Sequence, residues 1–86
     1  DNVTKLTVMG SKEVPAVNGD YVPKSADSIP IGFAGVCEAQ GWATEDMWKK
    51  LNGDSIWFKH SQNESYIYWN KGDGKWWIDG PDGNGV

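Results

Sequence analysis

The sequence predicts a mainly β protein: a small antiparallel meander sheet with one short helix carried in an insertion. Three observations point there. Runs rich in aromatic and β-branched residues fill the C-terminal half, at Ile56–His60, Ser65–Trp69 and Lys75–Asp79. Eleven Gly, four Pro and three Asn-Gly dipeptides (Asn18-Gly19, Asn52-Gly53, Asn84-Gly85) punctuate the 86 residues. At this length the chain forms one domain, residues 1–86, and hides only about 60% of the surface its unfolded form exposes. Six Trp, three Tyr and two Phe must supply most of its core.

In chain order, Val3 to Met9 alternates loosely and reads as a first strand, ended by Gly10. Val14 to Val17 is a short extended piece ahead of the Asn18-Gly19 turn. Tyr21 then opens a second pairing, which Pro23 confines to an edge or an early end. Lys24 to Ser28 has no periodicity and reads as a loop. Ile29, Ile31 and Phe33 alternate with Pro30 and Gly32, which suggests an irregular strand. The helix signal lies further on. Thr44 is placed as N-cap, Glu45 and Asp46 in the first turn, Lys49 and Lys50 in the last, and Asn52-Gly53 as terminator. This gives a helix over 45–51 with Met47 and Leu51 on one face and Trp48 beside them. Residues 24–51 are thus an insertion before the three-stranded meander of 55–79. The breaks at Ser61–Glu64 and Asn70–Gly74 are of hairpin length. Within the meander Ile67 and Trp69 share one face and Tyr66 and Tyr68 the other, with Trp76 and Ile78 opposite Trp77.

Charge and composition narrow the function classes. Twelve acidic residues face eight Lys and no Arg, a net charge of −4, which argues against nucleic acid as a partner. No apolar run approaches the roughly 20 residues of a membrane-spanning helix, so a soluble domain without a direct membrane span is expected. The chain begins at Asp1, which suggests processing and hence an organelle (plastid or thylakoid) or secreted location. Asn2-Val3-Thr4 and Asn63-Glu64-Ser65 match the N-glycosylation pattern.

No combination of residues reads as catalytic. Cys37 is the one cysteine and reads as a buried thiol; His60 is the one histidine and reads as a surface or strand-end residue. Nothing in their spacing supports a nucleophile–base pair. Asp79, Asp82 and Asn84 have a calcium-like flavour, but lack the downstream bidentate acid of a calcium loop and read as a solvated turn. Lys71 to Lys75 is Gly-rich, yet joins two strands and opens no helix, unlike a phosphate loop. The expectation is therefore no enzyme, no cofactor and no metal. What exceeds background is the aromatic set: one or two of six Trp are expected at the surface, where they anchor protein partners or stack on sugars.

The segments Val17-Asn18-Gly19-Asp20-Tyr21-Val22-Pro23, Asn52-Gly53 leading into Ile56-Trp57-Phe58-Lys59, Tyr66-Ile67-Tyr68-Trp69 and Gly74-Lys75-Trp76-Trp77-Ile78 resemble a small repeat module of algal, protist and invertebrate proteins. That module reads V-N-G-x-Y, N-G-R-P-V-Y, Y-L-Y-Y and G-x-W-x-I. The resemblance covers about half the chain. Asp54-Ser55 departs from the module's Arg-Pro, and residues 24–51 exceed its usual link. It implies a non-catalytic part of larger proteins, and a plastid photosynthetic assembly as its setting. The functional expectation is an extrinsic accessory subunit of a larger complex, anchored to other protein subunits by Phe33, Trp42, Trp48, Trp76 and Trp77. The alternative is a carbohydrate-binding module whose glycan platform is Tyr66, Tyr68 and Trp77.

Overall fold

The computed structural model describes residues 5–85, and the fold is mainly β. Five strands run in sequence order as one antiparallel sheet: β1 (Leu6–Val8), β2 (Gly19–Lys24), β3 (Trp57–His60), β4 (Tyr66–Asn70) and β5 (Lys75–Asp79). Two helices, α1 (Ile31–Gln40) and α2 (Thr44–Asn52), lie between β2 and β3. None of the described helices is long and apolar enough to cross a membrane.

The three C-terminal strands form as the sequence predicts, and the first strand is shorter than expected; Val3 and Thr4 of that expectation lie outside the described residues. Tyr21 does open a second pairing, opposite Leu6 on one side and His60 on the other. The turn expected at Asn18-Gly19 is instead the end of a 3-10 helix, and Gly19 already opens β2. Pro15–Val17 is a 3-10 turn, where an extended piece was expected. The Asn18 side chain holds the connection by accepting from Ser11 N–H at 3.0 Å and donating to Ser11 O at 2.9 Å.

The larger correction is α1. Ile29 to Phe33 was expected as an irregular strand, and one helix was expected in all. Instead Pro30 sits at the N-cap and its carbonyl accepts from Ala34 N–H. Gly41, in the left-handed region at φ 73°, closes the helix. The short α2 spans nearly the predicted residues, but Ala43 is its N-cap and makes no side-chain cap bond. Thr44 begins the helix itself.

Alternation along the strands sorts the side chains into two cores. On the helix side Trp57, Tyr66 and Tyr68 pack with Phe33, Cys37 and Trp48. Their rings meet edge to face, with centroids 5.0 Å apart for Phe33–Trp48 and 5.9 Å for Trp48–Trp57, the geometry that ring quadrupoles favour. Both buried indoles bond the loop after β2: Trp48 Nε1 donates to Ala26 O, and Trp57 Nε1 to the carbonyls of Ser25 and Ser28. The aperiodic loop thus owes its course to these carbonyl acceptors. On the other face the sheet curls, burying Tyr21, Phe58 and Ile67 with Leu6, Val8 and Ile78 around them.

Candidate functional site

Register decides what shares a face. Tyr68 lies opposite Trp77, and Tyr66 opposite Asp79, so the four point to the helix side. There Tyr66, Tyr68 and Asp79 form the floor of a cleft of about 190 Å³, with Trp77 at its edge. Phe33, Val36 and Cys37 of α1 and Met47 and Leu51 of α2 make one wall. Trp42, on the link between the helices, and Gly83 and Gly85, in the turn after β5, complete it.

The turn is held to α1 by an approach that only glycine permits. A Cβ on Gly32 would lie 2.7 Å from Gly83 N and 2.8 Å from Pro81 O. Gly83 itself adopts φ 84°. Gly80 N–H donates to Asn84 O, and Gly85 pairs with Asp79 in an antiparallel bridge. These contacts fold the C-terminal segment back beside Asp79.

Two rings stand at the mouth. Trp42 is 51% exposed and Trp77 is 38% exposed. Trp77 is fixed by its Nε1 donating to Asp73 Oδ2 at 3.0 Å. Below them lies the Tyr66–Asp79 pair. Tyr66 has no solvent exposure and its hydroxyl makes no hydrogen bond of proper geometry. Asp79 is only 6% exposed. Lysine–carboxylate pairs among the described residues join Lys5 to Asp20 and Lys59 to Glu64, neither of which lines the cleft. Burial pushes the Asp79 carboxyl above the usual carboxylate range; the Tyr66 hydroxyl opposes the rise and Asp82 adds to it. Burial likewise pushes the Tyr66 phenol up, reinforced by the Asp79 charge. The Cys37 thiol is also raised by burial, against the Thr44 hydroxyl.

The residues singled out by sequence separate accordingly. Phe33, Trp42 and Trp77, expected as interface anchors, line the cleft together with Tyr66 and Tyr68 of the expected glycan platform. Phe33 and Trp48 are buried, and this corrects their reading as surface anchors: α1, unforeseen in the sequence, and α2 press them into the sheet. Tyr66 and Tyr68 are buried too, so they form a floor and present no flat platform. Trp76 is exposed on the opposite face, beside Trp69 and Phe58. Asp79 was grouped with Asp82 and Asn84 in the sequence, but the structure divides them. Asp82 accepts from Asn84 N–H and Nδ2 within the turn, while Asp79 faces the cleft. Among the described residues no cluster of His, Cys, Asp and Glu could hold a metal ion. The signal for Asp79 was its spacing of two from Trp77, which puts both on one face of a strand.

Cys37 is buried among the helix-side rings, whereas His60 packs on Tyr21 across the sheet. His60 stands at a strand end as expected but is buried, which corrects its surface reading. Its Nδ1 accepts from Gln62 N–H at 3.0 Å, leaving Nε2 to donate to Asn18 O at 2.7 Å. The imidazole ties two turns together. Asn63 is similarly occupied, with Nδ2 on Ala16 O and Oδ1 on Ser65 N–H; Asn2 lies outside the described residues. No protein-family model, curated protein or solved structure matches the chain.

Proposed function

We propose that this domain is a non-catalytic recognition module whose binding site is the aromatic cleft between the two helices and the C-terminal end of β5. The observation that carries the reading is the buried Asp79–Tyr66 pair at the floor, beneath two exposed Trp rings. Apolar pockets with a few convergent polar groups are the usual form of binding sites. A buried carboxylate without a counter-charge among the described residues is costly, and that cost falls when a ligand supplies one. The separation of Cys37 and His60 onto opposite faces supports a non-catalytic role, since a nucleophile needs its base within hydrogen-bond reach.

In the cell such a module serves as an accessory subunit, docking a group of a partner protein in the cleft with Trp42 and Trp77 at its rim. A plastid photosynthetic assembly as the setting rests on the sequence resemblance alone. The test is native purification of the full chain from its source cells, with size-exclusion chromatography and mass spectrometry of what travels with it. A W42A/W77A double variant is expected to lose the companion molecule, and W76A, altered on the far face, to keep it. Retention by the double variant would sink the assignment of the cleft.

A further inference from the structure

We infer that the cleft takes a small alkylated ammonium group that retains at least one N–H, with Asp79 as its counter-charge. The inference rests on the recognition reading above and adds the chemistry of the ligand.

Four features converge on it. The first is charge: Asp79 is buried and carries no lysine partner, in a chain whose net charge is −4. Buried carboxylates are ordinarily paired, and a cation brought by the ligand completes this one. The second is the wall. Phe33, Trp42, Tyr66, Tyr68 and Trp77 surround the same space, and aromatic rings attract a cation held within about 6 Å of them, most strongly away from water. Alkyl groups on the nitrogen suit such rings better than the hydration shell of a bare ammonium does.

The third is size. At about 190 Å³ the cleft is smaller than the roughly 300–1,000 Å³ of pockets that enclose drug-sized molecules. It admits a head group while the rest of the molecule extends past Trp42 and Trp77. The fourth is the Tyr66 hydroxyl, which is wholly buried beside Asp79 and makes no hydrogen bond of proper geometry there. An ammonium N–H finds its acceptor in the Asp79 carboxylate, which the Tyr66 hydroxyl supports from beneath. A quaternary nitrogen has no N–H to offer, and a neutral isostere brings neither charge nor donor.

The experiment follows from that distinction. The 86-residue protein is titrated with three probes of nearly one shape, read by the indole N–H signals of Trp42 and Trp77 in NMR spectra. N,N-dimethylaminoethanol is charged with one N–H, choline is charged without one, and 3,3-dimethylbutan-1-ol is neutral. The expected order is dimethylaminoethanol tightest, then choline, with the neutral alcohol weaker than the first by about tenfold or more. Asp79→Asn, which keeps shape and removes charge, is expected to abolish the difference between the amine and the alcohol while its spectrum stays folded. Nα-acetyl-Nε,Nε-dimethyl-lysine methylamide in a fourth arm distinguishes the sources: tighter binding than dimethylaminoethanol assigns a lysine side chain, weaker binding a free amine. Alcohol binding as tight as the amine's would overturn the cation inference yet leave the cleft a recognition site. Silence of all probes at millimolar concentration would overturn it too. The co-purification described above then decides the fate of the broader reading by itself.

Discussion

At the residue scale the most consequential side chain is Asp79, whose burial without a counter-charge sets a sign for the pH dependence of stability. Its unfolded carboxyl titrates near the usual 3.8, whereas the native carboxyl holds its proton to higher pH, chiefly through burial and with Asp82 contributing. Between those two values the native state binds more protons than the unfolded one. Stability from this group is therefore complete below the unfolded value and lost as pH rises through the native one. Asp79→Asn is expected to flatten that limb of the curve. At neutral pH it should raise stability by about 0.5–2 kcal/mol, the range of single stabilising substitutions that trade against function. Thermal unfolding of both proteins from acid to neutral pH checks this, and a variant less stable than wild type at neutral pH would refute it. In the sequence Asp79 stood beside Asp82 and Asn84, so its neighbours along the chain suggested a solvated turn. Its neighbours across the sheet, Tyr66 and the cleft rings, are set by the β4–β5 register, which local patterns do not reveal. His60 was misjudged for the same reason: its partners Asn18, just before β2, and Tyr21, within it, lie about 40 residues away along the chain.

At the scale of elements, strands were legible and one helix was not. Trp57–His60, Tyr66–Asn70 and Lys75–Asp79 carry the residue types strands favour, bounded by turns. Helix α1 lacks a polar stripe over most of its length, because the sequence Ile31-Gly32-Phe33-Ala34-Gly35-Val36-Cys37 has no charged residue to mark a face. Its start and stop, Pro30 and Gly41, were present, but the alternation of Ile29, Ile31 and Phe33 with Pro30 and Gly32 suggested an irregular strand, and the helix holds two internal glycines, Gly32 and Gly35. Those glycines do different work, and a pair of substitutions separates them. Gly35 has open space where a Cβ would go, so Gly35→Ala should stabilise the helix by about 0.5–1 kcal/mol through lower backbone entropy in the unfolded chain. Gly32 is the point where the C-terminal turn touches the helix, so Gly32→Ala should cost about 1–3 kcal/mol as an overpacked contact. The same change should displace the turn that walls the cleft and shift the Trp77 indole signal. Urea unfolding of the two variants reads the signs, and equal effects would show that the turn does not depend on that approach.

At the scale of the whole molecule, a small chain builds two cores by spending its aromatics on both faces of one curled sheet. The number of rings was plain from composition, but their division between core and surface depended on where α1 and α2 came to rest. Trp48 and Trp76 show the difference, since both stood together as surface anchors in the sequence reading. Trp48 is buried against Phe33, Trp57 and Tyr68 and bonds Ala26 O. Replacing it with Ala leaves a cavity and an unpaired carbonyl, at a cost of about 3–5 kcal/mol. That is a large share of the roughly 5–15 kcal/mol by which small domains hold together. Trp76 is half exposed and keeps only the flanks of Trp69 and Phe58, with centroids 5.4 and 6.1 Å away. Its replacement should cost about 1 kcal/mol, the worth of an aromatic pair. Equilibrium unfolding in urea, followed by far-ultraviolet circular dichroism, should shift the midpoint several times further for W48A than for W76A at an unchanged slope. A comparable loss from the two would mean that the far face carries as much of the fold as the helix-packed one. The W76A variant would then be unfit as the control for cleft binding, and a Lys12→Ala change, at an exposed position that does not line the cleft, would have to take its place.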